Sequence, residues 1–383
     1  DEARPEVTLT PSASTASEGV GTLTLAATQG AVSAANTVVS LSFSGNATLS
    51  SDYSVSENIT IAGGSLSGNV TLSLIDDNIT EDNETILVNI NGVSGGNGAS
   101  ENGTQQASIT LTDNDPVPKV TLSVPSSSSL SENGGSVTLT VEQDRVSSSP
   151  TVVTLSFDNS TASSGDYVDN LSSSTLTIAA GSLSANVMLT GVDDNVTEGA
   201  ETIRVDIASV TGGNGASENA TQQASITLTD NDNASLVVST DNVTVSETGT
   251  TSTFTVKLNS EPTSSVSVSL DLNSSDEFSV SDNLSFSSSN WYTAQTVTLT
   301  GVNDNVSDDN QTSTLTLSSS SSDSYYNGLS DNVTVTTTDN DTVGLVLSKS
   351  NVVVSENGTQ SDTFTVQLNS EPTDNVTVSL SLN

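Results

Sequence analysis

Short runs in which apolar residues alternate with Ser and Thr recur along the whole chain. Thr22-Leu23-Thr24-Leu25, Val70-Thr71-Leu72-Ser73-Leu74 and Ser108-Ile109-Thr110-Leu111 are examples. A period of two sends one side chain into a core and the next into water, which is the pattern of a half-buried strand. No segment sustains a helical period. Between residues 7 and 115 the strand candidates centre on 7–10, 21–27, 38–43, 58–61, 70–74, 86–90 and 107–111, separated by Gly, Asn, Asp and Ser. Seven strands in roughly 100 residues is the count of an immunoglobulin-like β-sandwich. The expected fold class is all-β, built from sandwiches of this kind.

The pattern repeats. Thr112-Asp113-Asn114-Asp115, Thr229-Asp230-Asn231-Asp232 and Thr338-Asp339-Asn340-Asp341 each close a block, and Ser17-Glu18, Ser131-Glu132, Ser246-Glu247 and Ser355-Glu356 each follow an opening strand. A spacing of about 110 residues is the size of one sandwich domain, so the chain is read as a tandem array. The expected repeats are 1–116, 117–233 and 234–342, with a partial fourth at 343–383. Segments 93–115 and 210–232 differ only at Ser94/Thr211 and Gly103/Ala220. Repeats three and four form a second type, sharing Asn259-Ser260-Glu261-Pro262-Thr263 and Asn369-Ser370-Glu371-Pro372-Thr373. The chain reads as a window on a longer array, with Asp1 closing an earlier repeat and repeat four broken off at Asn383.

Composition narrows the chemistry. Against 46 Asp and Glu stand 6 Lys and Arg, a net charge of −40. That surface repels nucleic acid and anionic membrane, which need cationic side chains to bind. No apolar run approaches the ~20 residues of a membrane span. The chain has neither Cys nor His, which excludes zinc sites, thiol nucleophiles and Ser-His-Asp catalysis. Hydrophobic residues make up only 32%. Low hydrophobicity with high charge also marks disorder, but the sustained alternation argues for folded strands with thin cores.

The carboxylates concentrate in turns. Asp76-Asp77-Asn78-Ile79-Thr80-Glu81-Asp82-Asn83-Glu84 is matched by Asp193-Asp194-Asn195-Val196-Thr197-Glu198-Gly199-Ala200-Glu201, each between two strand candidates. Calcium takes six to eight oxygen ligands at flexible angles, and such loops supply them. In a sandwich this loop can gather at one end with the Glu18 turn, the Asp52-Tyr53 turn and the closing Asp113-Asn114-Asp115. Asp and Asn are also ordinary turn formers, so a set of solvated turns is the competing reading.

These motifs together resemble the Calx-β family, the immunoglobulin-like repeat of sodium–calcium exchangers and of many large surface proteins. The resemblance covers repeats one and two from end to end. It implies calcium ions clustered where one domain meets the next. It further implies ligands Glu18, Asp52, Asp76, Asp77, Glu81, Glu84, Asp113 and Asp115 in repeat one, with the Ile79 carbonyl as an addition. Repeat two would use Glu132, Asp166, Asp193, Asp194, Glu198, Glu201, Asp230 and Asp232. Repeat three departs, reading Asn303-Asp304-Asn305-Val306-Ser307-Asp308-Asp309-Asn310-Gln311. Glu247, Asp304, Asp308, Asp339 and Asp341 remain there, the counterpart of Asp52 is either Asp276 or Glu277, and fewer or weaker ions are expected. Cadherins, whose inter-repeat linker is similar to Thr112-Asp113-Asn114-Asp115-Pro116, are a more distant match.

Other motifs carry less. Twenty Asn-x-Ser/Thr sequons, Asn46, Asn58 and Asn69 among them, fit a glycan coat but also follow from a chain saturated with Asn, Ser and Thr. Glu81 and Glu84 could pair as glycosidase carboxylates, but metal ligation already accounts for them. Trp291-Tyr292 is read as core over a sugar platform, and Gly95-Gly96-Asn97-Gly98 with Gly212-Gly213-Asn214-Gly215 as hairpin loops. The expected function is non-enzymatic: a calcium-stiffened stalk or adhesin fibre of an extracellular, bacterial surface protein. Its partners would be calcium, neighbouring repeats, and either other copies or a surface or matrix ligand. A self-assembling filament is the alternative, and a calcium-sensing regulatory module stands behind it.

Overall fold

The computed structural model describes residues 4–125, 128–273 and 276–381. The expectations placed on Asp1 and Asn383 lie outside them. By contacts the chain divides into two compact units, Asp1–Val192 with Glu201–Thr229, and Asp193–Ala200 with Asp230–Asn383.

In the first unit, repeat one contains β1 (Glu6–Pro11), β2 (Thr15–Ser17), β3 (Thr22–Gln29), β4 (Thr37–Gly45), β5 (Tyr53–Val55), β6 (Asn58–Ile61), β7 (Ser67–Leu74), β8 (Glu84–Gly95), β9 (Ser100–Glu101) and β10 (Gln106–Thr112). They form two five-stranded sheets, β5-β7-β3-β1-β9 and β2-β10-β8-β4-β6. All seven expected strands are present. The three additional ones, β2, β5 and β9, are two or three residues long, too short to display a period. Beyond Pro11 the chain crosses from one sheet to the other. β1 runs antiparallel to β3, whereas β2 runs parallel to β10. That crossing ends β2 beside the end of β10 and leaves Glu18 at one pole of the sandwich.

Residues 119–229 repeat the same order in two further five-stranded sheets. In the second unit, repeat three has sheets of four and five strands, and residues from 343 onward contribute the pair Leu345–Leu347 with Val366–Leu368. The described residues of repeat three lack a counterpart of β9. Where repeat one has Ala99-Ser100-Glu101, repeat three carries Tyr326, which turns into its core.

Each complete repeat has its own aliphatic core. Ile59, Ile86 and Ile109 are fully buried between the sheets of repeat one. Ile86 lies on β8, the centre of its sheet, so Ile86→Ala should destabilise repeat one by about 2–5 kcal/mol in denaturant unfolding, the cost of a core cavity. A buried polar pair recurs above the core: Thr37 Oγ1 donates to Gln29 Oε1 at 2.9 Å, and Thr151 Oγ1 to Gln143 Oε1 at 2.8 Å. Trp291 packs partly against the core as expected, but Tyr292 beside it is 62% exposed.

Candidate metal centre

Adjacent strand ends lie about 5 Å apart, so side chains flanking them share one pole. The order β2-β10-β8 sets Glu18, after β2, beside Asp113 and Asp115, after β10, and Glu84, which opens β8. On the opposing sheet β5 and β7 neighbour each other, which adds the Asp52 turn and the start of the 76–84 loop. Two groups result. Carboxylate oxygens of Glu18, Asp113 and Asp115 lie within 4.8 Å of one another, as do those of Asp52, Glu81 and Glu84.

Main-chain donors hold the loops. Ile79 N–H donates to Asp77 Oδ1 at 2.7 Å, which closes an Asx turn. Asp113 accepts from Glu81 N–H through one oxygen and from Asp115 N–H through the other, both at 2.9 Å. Asn114 Nδ2 donates to Asp76 Oδ1 at 3.1 Å, and Thr48 N–H to Asp52. These bonds draw the carboxylates together without neutralising them.

The electrostatic consequence is large. Glu18 is 3% exposed, and burial with Asp113, Glu81, Asp77 and Asp115 around it pushes its pKa up from 4.5 to about 7. Burial and Asp52, which shares a hydrogen bond with it, push Glu84 up to about 7 as well. Glu81 and Asp115 are raised for the same reasons, although Arg145 partly offsets the rise at Asp115. Glu18 Oε2, Glu84 Oε2 and Asp115 Oδ2 are buried without a hydrogen-bond partner. Orphaned buried carboxylate oxygens are costly, and an all-oxygen, anionic donor set is what a hard divalent cation such as calcium requires. The residues present fit that ion.

The corresponding residues of repeat two are divided between the two units, and within each unit their local hydrogen bonds recur. In the first unit Glu132 is buried, its N–H donating to Thr229 O at 3.1 Å, Ser163 Oγ donates to Asp166 at 2.9 Å, and Glu201 opens the strand Glu201–Gly212. In the second unit, Val196 N–H donates to Asp194, Glu198 N–H to Asp230, and Asp232 N–H to Asp230, at 2.6–2.7 Å. Asp232, raised by burial and by Asp230, Asp193 and Asp194, leaves Oδ2 buried and unpartnered.

Repeat three keeps half of the arrangement. Glu247, Asp339 and Asp341 form a group within 4.8 Å, with Asp341 Oδ2 buried and unpartnered. The described residues show no counterpart of the Asp52, Glu81, Glu84 group. The position of Glu84 holds Gln311, whose Nε2 donates to Asp308 O at 2.7 Å. Asn303 keeps the hydrogen bond made by Asp76, accepting from Asn340 at 2.8 Å, but brings no charge. Asp304 accepts from Val306 N–H at 2.7 Å. The ambiguity between Asp276 and Glu277 is resolved. Glu277 O accepts from Val302 N–H at 2.9 Å, as Asp52 O does from Ile75 N–H at 3.0 Å, and Asp308, Glu247 and Asp304 raise its pKa after burial. Matching buried Phe278 to buried Tyr53 would have assigned it from the sequence, because the carboxylate precedes the core aromatic in both.

Tandem sandwiches whose carboxylates cluster in the turns at their strand ends are the class these features define. The family model described as Calx-beta domain matches residues 1–115, 113–232 and 230–341, and the chain belongs to that family. Calx-beta domains are calcium-binding β-sandwich modules that are typically non-catalytic. Among solved structures, CBD12 from CALX1.2 is 17% identical, the match covering 54% of this chain and 80% of that one, with a TM-score of 0.27. The Yersinia pseudotuberculosis adhesin InvE is 14% identical over 58% of each chain, TM-score 0.30. Protocadherin gammaB7 EC3-6 is 13% identical over 91% of this chain and 78% of that one, TM-score 0.31. Similarity at these levels carries no functional argument. No curated protein matches the chain.

Proposed function

We propose that the chain is a calcium-stiffened stalk segment of an extracellular surface protein, in which each acidic pole is a junction and not an isolated ion store. In the first unit, the loop that bears the carboxylates of repeat one is bonded directly to repeat two. Thr80 N–H donates to Val146 O and Ser148 N–H to Thr80 O, both at 3.0 Å, and Thr80 Oγ1 donates to Pro116 O at 3.0 Å. Calcium would be held by Glu18, Asp52, Asp77, Glu81, Glu84, Asp113 and Asp115, with Asp76 in support. Ions of this kind neutralise mutual repulsion and fix the loop on which the next repeat rests. Affinity in the range of extracellular calcium modules, with Kd about 0.1–1 mM, would keep the sites filled outside a cell.

Small-angle scattering of the full chain in calcium and in chelator tests the reading. Calcium should narrow the spread of end-to-end distances and lengthen their mean. Identical profiles in the two conditions would overturn it.

A further inference from the structure

The Gly212–Gly215 hairpin and the Asn-Ser-Glu-Pro-Thr motif have no part in ion binding, yet both lie where an acidic loop meets its neighbour. In the first unit, Gly212, Gly213, Asn214 and Gly215 all have positive φ, from 52° to 92°. A Cβ on Gly213 would stand 2.2 Å from Thr151 Oγ1, so only glycine lets the turn close over that residue. The turn presents Asn214 Oδ1 to the segment 147–149. Asn214 Oδ1 accepts from Ser147 Oγ, from Ser149 N–H at 3.0 Å and from Ser148 Oγ at 3.5 Å. Ser147 is fully buried, and this is the segment that receives Thr80.

In the second unit a different side chain does the same work. Buried Tyr326 takes Ser260 N–H on its hydroxyl oxygen at 2.9 Å and donates to Ser260 O at 2.7 Å. The segment so held receives the 193–200 loop: Thr197 Oγ1 meets Ser260 Oγ at 2.7 Å, and Glu261 N–H donates to Asn195 O at 2.6 Å. The copy of the motif at 369–373 repeats that register, with Glu371 N–H donating to Asn305 O at 2.6 Å. In repeat one, Asn97 has the same left-handed φ of 53°, and Ser33 occupies the position of Ser147. No acidic loop is bridged there, and Asn97 makes no hydrogen bond to Ser33 among the described residues.

We infer that the hairpin after the long strand of repeats two and three is a joint clamp, in which Asn214 and Tyr326 are positioning residues that hold a receiving segment for the acidic loop of the repeat before. The clamp consists of hydrogen bonds and includes no carboxylate of the acidic groups, so it stands apart from calcium binding.

Hydrogen exchange on the full chain tests it at the amides of Thr80 and Ser148, measured in calcium and again in chelator. Asn214→Gly keeps the left-handed backbone and removes the acceptor. Exchange at both amides should accelerate about fivefold for each hydrogen bond lost, while Leu139 in the core of repeat two stays unchanged. Asn214→Asp keeps an acceptor and should retain the slow rate. The comparison is between variant and parent within each condition, so an absence of calcium dependence would sink only the stalk reading. Unchanged exchange in Asn214→Gly, acceleration shared equally by Leu139, or equal acceleration in Asn214→Asp would each overturn the clamp. Tyr326→Phe should likewise speed exchange of the Glu261 amide.

Discussion

Saturating calcium should stabilise the full chain by several kcal/mol in thermal unfolding, and chelator should remove the gain. A ligand that binds only the folded state contributes RT ln(1 + [L]/Kd), about 4 kcal/mol at a thousandfold excess over Kd. The Asp115→Asn variant separates this from general salt screening. It removes one charge from a group whose oxygens lie within 4.8 Å, and its Oδ2 is buried without a partner. In chelator the variant should therefore be more stable than the parent, because a buried repulsion is relieved. In calcium it should be less stable, because a ligand is lost. Magnesium should give the smaller increment, since it tolerates irregular oxygen cages poorly. Repeat three, with one three-carboxylate group among the described residues where repeat one has two, should saturate last. A parent chain that melts at the same temperature in calcium and chelator would reduce the acidic poles to solvated turns.

The second large effect is a dependence of calcium-free stability on pH. Glu18 and Glu84 rise from an ordinary 4.5 to about 7 in the folded chain. The folded state therefore holds protons more tightly than the unfolded state. Their stabilisation is complete below about pH 4.5 and is lost as pH climbs to 7. For Glu18 alone the change is about 3 kcal/mol. Denaturant midpoints in chelator should fall steadily across that window, opposite to the usual behaviour of salt-bridged carboxylates. Calcium competes with those protons, so binding at pH 6 should release them. Calorimetry in two buffers of different ionisation enthalpy would detect the release, and an apparent enthalpy independent of buffer would refute the coupling.

Much of this was legible in the sequence, for reasons visible in particular residues. Strands long enough to show two or three alternations, such as those around Val70 and Ile109, declare themselves through the pleat. Glu18, Asp113 and Asp115 were readable because short polar turns flank those strands in every repeat. What escaped were elements without a period: β2, β5 and β9, placed by the neighbouring strand's free hydrogen-bonding edge. Glu277 was ambiguous because Asp276 precedes it, although Phe278 follows it as Tyr53 follows Asp52, and both aromatics are buried. The role of Asn214 was hidden because its partners, residues 147–149, lie more than sixty positions away and are ordinary serines.

The crossing of the first strand between sheets has a mechanical consequence. Because β2 runs parallel to β10, tension entering at the start of a repeat and leaving at its end loads their hydrogen bonds in shear. Bonds in shear must rupture together, whereas a peeled hairpin yields one rung at a time. The clasp spans three residue pairs in repeats one and two, and five in repeat three, from Asn242–Thr334 to Ser246–Thr338. The repeat with the poorest acidic pole thus has the longest shear clasp, and under pulling its resistance should owe least to bound ions.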